Sequence, residues 1–377
     1  MTALASSRRE AAEWARSAVP VDPTVDVLIP TKDRTAALAV TLAGLAAQDD
    51  PPFRVILSDQ SPTPIEADHV VCSLLRLLRA QGRGVEVHRH LPVRGMAEQR
   101  AFLLSQASCD HVLFLDDDVW LEPGTLELLD NALGRLGCGV VGAAVQGLSY
   151  LDDRRPAETA DFEVWQHAVH PERIRRGTPE FERFRLHNAA NLAHIAADLG
   201  LGRDEWVAYK IAWVGGCVMF RRDALVETGG FEFWRQLPPQ HVGEDVAAQW
   251  RVMERYGGAG ILPSGAVHLE APTTLTEREV EASTVVFRER KSSSNFSREA
   301  QQFSREGPAE KGEPMNPNPN PIQVQKFLGG VDYPASKDDI VRSAQDSGAD
   351  DEVLDALHGI PDREYDGPTA VSEAVAR

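Results

Sequence analysis

Short runs of apolar residues alternate with longer amphipathic stretches between residues 25 and 147. Each run has the length of a β-strand, and each stretch between two runs has the length of a helix. Strands that alternate with helices predict an α/β fold, in which a largely parallel sheet is flanked by helices. The predicted strands occupy residues 25–29, 54–57, 85–88, 111–115 and 139–145.

The fourth apolar run, residues 111–115, leads directly into Asp116, Asp117 and Asp118. Three ionised carboxylates at the end of a buried strand lose solvation and therefore need a cation nearby. Carboxylate oxygens in such a cluster suit Mg²⁺ or Mn²⁺, which are also bound by substrate phosphates. In the alternative interpretation, one of these residues only caps the following helix. The sequence therefore predicts a metal site and a substrate that contains phosphate.

Acidic residues also follow the first two predicted strands, at Asp33 and Asp59. Ligands of open α/β sheets bind beyond the carboxyl ends of the strands, so these side chains are expected near the Asp116–Asp118 cluster. Either residue could instead form a local Asx turn or cap a helix. Their arrangement on one edge of the sheet favours a binding role.

Two segments in the second half of the chain are further candidates. Gly215 and Gly216 precede an apolar run, which indicates close passage of the backbone to a ligand. Glu244 and Asp245 open a stretch with apolar residues at helical spacing. Acids in a first turn interact favourably with the helix dipole, and a carboxylate beside a pocket could equally act as a general base.

Shifts in composition predict four segments. Residues 1–24 form a helical N-terminal extension, and residues 25–290 form the main domain. Within this domain, the aromatic and polar residues 151–210 are predicted to be an insertion that shapes the pocket of a second substrate. Residues 291–321 form a linker rich in Pro, Asn and Ser. Residues 322–377 form a small acidic domain with two amphipathic helices, which is expected to bind a protein partner.

Composition excludes several classes of protein. The chain has 377 residues, 42% of them hydrophobic, which is enough for a packed core. A net charge of -18 argues against binding to nucleic acid. The four cysteines lack metal-ligand spacing, and no export signal is evident, so a cytoplasmic location is expected. No apolar run reaches the length of about 20 residues that spans a bilayer, although peripheral membrane association stays open.

Seven short motifs follow one another between residues 25 and 270. They are Val27-Leu-Ile-Pro-Thr-Lys-Asp33, Ser58-Asp-Gln-Ser61, Arg94-Gly-Met-Ala-Glu-Gln-Arg100, Phe114-Leu-Asp-Asp-Asp118, Gly215-Gly216 with Arg221-Arg222, Gly229-Gly-Phe231 and Gly243-Glu-Asp245. This ordered set resembles the family 2 glycosyltransferases of GT-A fold. The resemblance implies a Rossmann-like mixed sheet that binds a nucleotide-sugar donor.

The resemblance also implies roles for individual residues. Asp33 and Asp59 would hold the nucleoside, and Arg100 would lie near the diphosphate. Asp118 would be the direct ligand of Mn²⁺ or Mg²⁺, and Asp116 would contact the ribose or the metal. His268 resembles a histidine that often completes this metal site, although a lone histidine could also be an ordinary packed residue. Gly215 and Gly216 would complete the donor site.

For the reaction, the resemblance implies an inverting, metal-dependent sugar transfer to an acceptor hydroxyl. Asp245 would be the base, with Glu244 beside it in the acceptor site. The expected role is synthesis of a bacterial cell-surface glycan, glycolipid or secondary metabolite. The tail resembles a small uncharacterised domain of bacterial proteins, a resemblance that implies no activity.

Two other functions are considered. A catalytically silent GT-A scaffold or nucleotide-binding interaction protein would not need Asp116, Asp118 and Asp245 together. A nucleotidyltransferase would normally have a glycine-rich phosphate loop after the first strand, and residues 30–35 contain no glycine.

Overall fold

The computed structural model divides the chain into two compact units, Met1–Ala282 and Ser283–Arg377. The residues described by the structure are 10–15, 19, 21–202, 205–271, 280–287, 331, 334–347, 349, 351–365 and 367–375. The predicted linker, residues 291–321, therefore lies outside the described residues. The boundary at 282 lies close to the predicted end of the main domain at 290.

The first unit contains eleven strands among its described residues. They are β1 (Val25–Thr31), β2 (Phe53–Asp59), β3 (Gly84–Arg89), β4 (His111–Leu115), β5 (Val119–Leu121), β6 (Val140–Ala143), β7 (Gln146–Gly147), β8 (Val207–Tyr209), β9 (Cys217–Arg221), β10 (Gly258–Leu262) and β11 (Ala266–His268). Eight of them form the main sheet, in the order β3-β2-β1-β4-β9-β6-β10-β8. β5, β11 and β7 form a smaller sheet.

All five strands predicted from the apolar runs are present. β1 and β2 pair in parallel from Val25 opposite Phe53 to Thr31 opposite Asp59, and β4 lies on the other side of β1. The order differs from a simple parallel series, because β9 lies antiparallel between β4 and β6. The sheet is therefore mixed. The start of β9 lies beside the end of β4, where the acidic cluster begins.

The described helices up to residue 286 are α1 (Ala11–Trp14), α2 (Thr35–Ala46), α3 (His69–Ala80), α4 (Met96–Gln106), α5 (Thr125–Leu136), α6 (Asn191–Leu199), α7 (Arg222–Glu227), α8 (Glu244–Tyr256) and α9 (Ala282–Val286). Of these, α3, α4, α5, α7 and α8 pack against strands of the main sheet. Apolar residues of α2, α3 and α5 pack with β1, β2 and β4 in one core. Of the predicted N-terminal extension, residues 1–24, the described part has one helix of four residues.

The segment predicted to be an insertion, residues 151–210, ends with a strand of the main sheet. Most of it is a 3-10 helix (Pro179–His187), α6 and loops. β8, however, pairs antiparallel with β10 and forms the last strand of the main sheet. The aromatic side chain of Tyr209 is fully buried there.

The second unit has its own apolar core. Its described helices are Lys337–Asp346, Asp351–Gly359 and Pro368–Val375, and Ala335–Ser336 pairs with Glu364–Tyr365 as a two-stranded sheet. The two predicted helices are present, whereas the third helix and the strands were not predicted. Throughout the described residues of both units, no helix is long and apolar enough to cross a membrane.

Candidate active site

The predicted site residues lie around one edge of the main sheet. β1 and β4 are parallel and end at this edge, where Asp33 and Asp116 follow them. Because β9 is antiparallel, its first residue lies there as well, opposite Leu115. Gly216 precedes β9, and its carbonyl accepts a hydrogen bond of 2.8 Å from the amide of Asp116. Strand direction alone therefore brings these segments together.

Arg100 joins the acidic cluster to the helix that contains the candidate base. Its Nη2 donates to Oδ1 of Asp116 at 2.9 Å, and its Nε donates to Oε1 of Glu244 at 3.0 Å. Burial opposes the charge of Arg100, but the carboxylates of Asp116, Glu244 and Asp245 outweigh this effect and raise its pKa. Arg100 is therefore a permanent, buried cation at the centre of the site.

Asp245 lies in the first turn of α8, where Gly243 at φ +71° turns the chain into the helix. Its carboxylate lines a pocket together with Arg100, Gly216 and the apolar side chain of Phe231. Burial and the nearby charge of Glu244 raise the pKa of Asp245, and Arg100 acts in the opposite direction. A carboxylate with a raised pKa beside a pocket has the properties of a general base.

Glu244 differs from its neighbour. Its side chain is buried and accepts the hydrogen bond from Arg100. Burial raises the pKa of Glu244, and the charge of Arg100 opposes this effect. Glu244 therefore contacts the site through Arg100, whereas Asp245 faces the pocket directly.

Both carboxylate oxygens of Asp117 accept hydrogen bonds from other side chains of the protein. Its Oδ2 accepts from the hydroxyl of Thr31 at 2.7 Å, and its Oδ1 accepts from Nη1 of Arg34 at 3.0 Å. Burial raises the pKa of Asp117 to about 7, although Arg34 and Thr31 act in the opposite direction. These contacts fix the turn that follows β4.

Asp118 lies beside His268 because β11 pairs with β5, with His268 opposite Val119. Nε2 of His268 and Oδ2 of Asp118 are 3.2 Å apart, and Nη2 of Arg34 bonds to the same oxygen. Burial alone would raise the pKa of Asp118, but the hydrogen bond from His268 and the charges of His268 and Arg34 lower it to about 2. Asp118 is therefore ionised at neutral pH.

The pair Asp118 and His268 fits two ligands of one divalent ion. Neighbouring ligands of an octahedral Mg²⁺ ion, each about 2.1 Å from the metal, lie about 3 Å from each other. Within the described ranges, no group of three or more His, Cys, Asp or Glu side chains could hold an ion. Phosphate oxygens of a substrate and water would therefore supply the other ligands. Nδ1 of His268 accepts from the amide of Glu270 at 3.0 Å, so binding of a metal at Nε2 requires the other tautomer, in which Nδ1 has the proton and this hydrogen bond is broken.

Asp33 and Asp59 occupy different environments. Asp33 is exposed, has φ +58° and donates its amide to Oγ of Ser61 at 2.9 Å. Asp59 is fully buried, and its carboxylate accepts from the amides of Ser61 and Ile65 and from Arg89. Asp59 thus shapes the loop after β2. The predicted nucleoside contacts of both residues stay predictions.

Sequence reasoning missed two residues that organise the site, Arg34 and His241. The only local signal for Arg34 was its own position, directly after the candidate residue Asp33. Nε2 of His241 accepts from the amide of Ala97 at 3.0 Å, and its Nδ1 donates to the carbonyl of Pro238 at 2.7 Å. His241 thereby links the first turn of α4 to the loop before α8. Periodicity gives no signal for this contact.

Comparisons with known proteins identify both parts of the chain. Residues 26–198 match the model of Glycosyl transferase family 2. Residues 319–372 match the model described as Protein of unknown function (DUF2795). No curated protein matches the chain. The match to the first model includes Asp33, Asp59, Arg100 and the acidic cluster, whereas Asp245 and His268 lie beyond it.

Several solved structures resemble this chain at low sequence identity. S. aureus TarS 1–349 is 15% identical, with a TM-score of 0.41, and the match covers 66% of this chain and 60% of that one. The mannosyltransferase PcManGT from Pyrobaculum calidifontis, in complex with GDP-Man and Mn²⁺, is 16% identical, with a TM-score of 0.43 and coverages of 70% and 64%. The chain thus spans less than two thirds of the length of either structure.

The predicted fold class is confirmed by the mixed sheet flanked by helices. The acidic cluster, Arg100 and the strands β2, β3 and β4 lie within the residues that match the family model, whereas β9, β10 and β11 lie beyond them. Residues 26–198 are thus similar to the family 2 glycosyltransferases, and residues 319–372 are similar to the DUF2795 family.

Proposed function

We propose that the protein transfers a sugar, with inversion, from a nucleoside diphosphate sugar to an acceptor hydroxyl, and that Asp245 is the base. The observation that supports this most is the setting of Asp245. Among the described residues, its one hydrogen bond is accepted from the amide of Val246, next to it in the chain. Its carboxylate therefore has free acceptor positions towards the pocket.

In this mechanism Asp245 accepts the proton of the acceptor hydroxyl while the oxygen attacks the anomeric carbon. The leaving diphosphate develops negative charge, and Arg100 is the buried cation on that side of the site. A preorganised cation in a site shielded from water stabilises such charge more than it would in solution. Because the pKa of Asp245 is raised, the base is expected to become active at a higher pH than an ordinary aspartate.

We further propose that Asp118 and His268 hold a divalent ion, Mn²⁺ or Mg²⁺, together with the donor diphosphate. Such an ion, when bound, is a Lewis acid that neutralises the leaving group. Asp116 is the other acid of the cluster to which we assign a role here. Its side chain is 36% exposed, so its free oxygen can reach the ion or the ribose. Chelation is therefore expected to weaken binding of the donor.

The acceptor is proposed to be a bacterial cell-surface glycan, a glycolipid or a secondary metabolite. A cytoplasmic location fits the four free thiols, three of which are buried.

The test is transfer and donor binding by the Asp245→Asn variant. UDP-GlcNAc and GDP-mannose with Mn²⁺ are the first probes, screened by thermal shift and by release of the nucleoside diphosphate. A general base contributes about 10²- to 10⁴-fold to the rate, so turnover is expected to fall by that factor while donor affinity is kept. Glu227→Gln, an exposed carboxylate at the end of α7, is the control.

Near-normal turnover of Asp245→Asn would remove Asp245 as the base. If the wild-type protein neither bound nor hydrolysed any nucleotide sugar, the silent scaffold would be the better interpretation.

A further inference from the structure

The loop after β1 contains a cation that contacts the acidic cluster directly. Nη1 of Arg34 pairs with Asp117, Nη2 pairs with Asp118, and Nη2 also donates to the carbonyl of Ala271 at 3.3 Å. The side chain of Arg34 is 16% exposed. The guanidinium is therefore the counter-ion of two of the three carboxylates, and Arg100 pairs with the third.

Arg34 and the proposed metal would use the same atom. Oδ2 of Asp118 faces Nε2 of His268 at 3.2 Å and also accepts the hydrogen bond from Arg34. A divalent ion bound to this oxygen would lie within a few ångströms of the guanidinium. Two cations at that distance repel each other, so a bound metal would weaken the contact of Arg34 with Asp118.

The guanidinium is also incompletely satisfied. Its Nε is buried, and no group of the described residues forms a hydrogen bond with it. A buried donor without a partner is unfavourable, and a conformation that satisfied it would gain free energy. A guanidinium matches the two oxygens of a phosphate as well as it matches a carboxylate. A diphosphate at this edge of the sheet would give Arg34 a new partner.

We propose that Arg34 is the resident counter-ion of Asp118 in the donor-free protein, and that Mn²⁺ or Mg²⁺ displaces it. The released guanidinium then binds a phosphate oxygen of the nucleoside diphosphate. Arg34 thus competes with the metal for Asp118 when no donor is bound. When metal and diphosphate bind together, Arg34 strengthens the binding of the diphosphate. This proposal rests on the proposed function, which supplies the metal and the donor.

The two roles predict opposite changes in one variant, Arg34→Gln. Without nucleotide, Mn²⁺ is expected to bind about tenfold more tightly than to the wild type, since removal of a charged hydrogen bond releases Asp118. At saturating Mn²⁺, UDP is expected to bind about tenfold more weakly, because its phosphates lose the guanidinium. Isothermal titration of the full-length protein, and the paramagnetic resonance signal of free Mn²⁺, measure both affinities without any turnover.

Two further variants complete the experiment. Arg135→Gln removes the same charge from an exposed position at the end of α5 and is expected to leave both affinities unchanged. Arg34→Lys keeps the charge but loses the planar guanidinium with its two terminal nitrogens. Its affinity for Mn²⁺ and its affinity for UDP should therefore each lie between those of the wild type and Arg34→Gln. This variant also tests the proposal if Arg34→Gln fails to fold.

Weaker or unchanged Mn²⁺ binding by folded Arg34→Gln, or by folded Arg34→Lys, would overturn the proposal, as would the absence of Mn²⁺ binding in every variant. Failure of the proposed function gives a different result. Mn²⁺ would then bind and respond to Arg34 as expected, but no nucleoside diphosphate or nucleotide sugar would bind.

Discussion

At the scale of single residues, Arg100 is the cation that connects the acidic cluster to α8. It is buried, and it pairs with one carboxylate of the acidic cluster and with Glu244 on α8. Its guanidinium also lies 5.5 Å from the ring centroid of Phe114. One side chain therefore balances the charge of two elements that are distant in the chain.

Replacement of Arg100 by Met is expected to destabilise the protein by about 3–5 kcal/mol, because Glu244 would stay buried without its cation. Denaturant unfolding followed by circular dichroism measures this change. Arg183→Met is a suitable control, since Arg183 is also buried but pairs with the single carboxylate of Glu172. The control should lose less stability and keep donor affinity. An Arg100→Met variant as stable as the wild type would show that the ion pairs of Arg100 make no net contribution to the free energy of unfolding.

At the scale of elements, the site depends on how α4 and α8 are held next to each other. Gly95 begins α4 at φ +102°. A Cβ atom at this position would lie 2.6 Å from Cε1 of His241 and 2.6 Å from the carbonyl oxygen of Pro239. The close approach lets His241 accept the hydrogen bond from the amide of Ala97. The loop before Glu244 is thereby fixed to the helix that contains Arg100.

The Gly95→Ala variant is expected to lose about 1–3 kcal/mol of stability through backbone strain, with a further loss from the clash with His241. It should also lose transfer activity, because the clash separates α4 from the loop before α8. Gly124→Ala is a matched control. Gly124 begins α5 at φ +87°, and a Cβ atom there would meet nothing within 4 Å. Equal losses in both variants, measured by thermal unfolding, would contradict a specific role for the contact.

At the scale of the whole molecule, every predicted site residue lies in the first unit. The core of the second unit consists of its own side chains, including Ile340, Val353 and Tyr365. The first unit likewise has a continuous core around β1, β2 and β4. Each unit therefore has the buried apolar surface that folding requires.

Truncation after residue 290 is expected to leave a cooperatively folded protein with unchanged donor affinity. The reason is that the shortened chain keeps the main sheet and all site residues. Thermal unfolding and titration with UDP and Mn²⁺ test this expectation, with the full-length protein as the reference. A large loss of donor affinity in a folded truncation would indicate that the DUF2795 unit contributes to the donor site.

Local patterns in the sequence were enough to predict several strands of the fold. Apolar runs predicted β1, β2, β4 and β6, because a buried strand must be apolar along its length. β3, which lies at the edge of the sheet and is only partly buried, was predicted from a shorter run. The acids at the strand ends and the glycines before β9 indicated where the chemistry lies. The requirement of the acidic cluster for a cation also followed from the sequence, since three carboxylates at a buried strand end need one.

Which strands become neighbours, and which distant side chains pair, followed from the folded arrangement of the chain. β9 lies between β4 and β6, and β8 completes the edge of the sheet, although both strands come late in the chain. Arg34 pairs with residues more than eighty positions away, and His241 contacts Ala97 across 144 positions. Local periodicity contains no information about such pairs, because chain crossovers bring them together. The sequence thus required a cation beside Asp118, and the folded chain determined that Arg34 provides it.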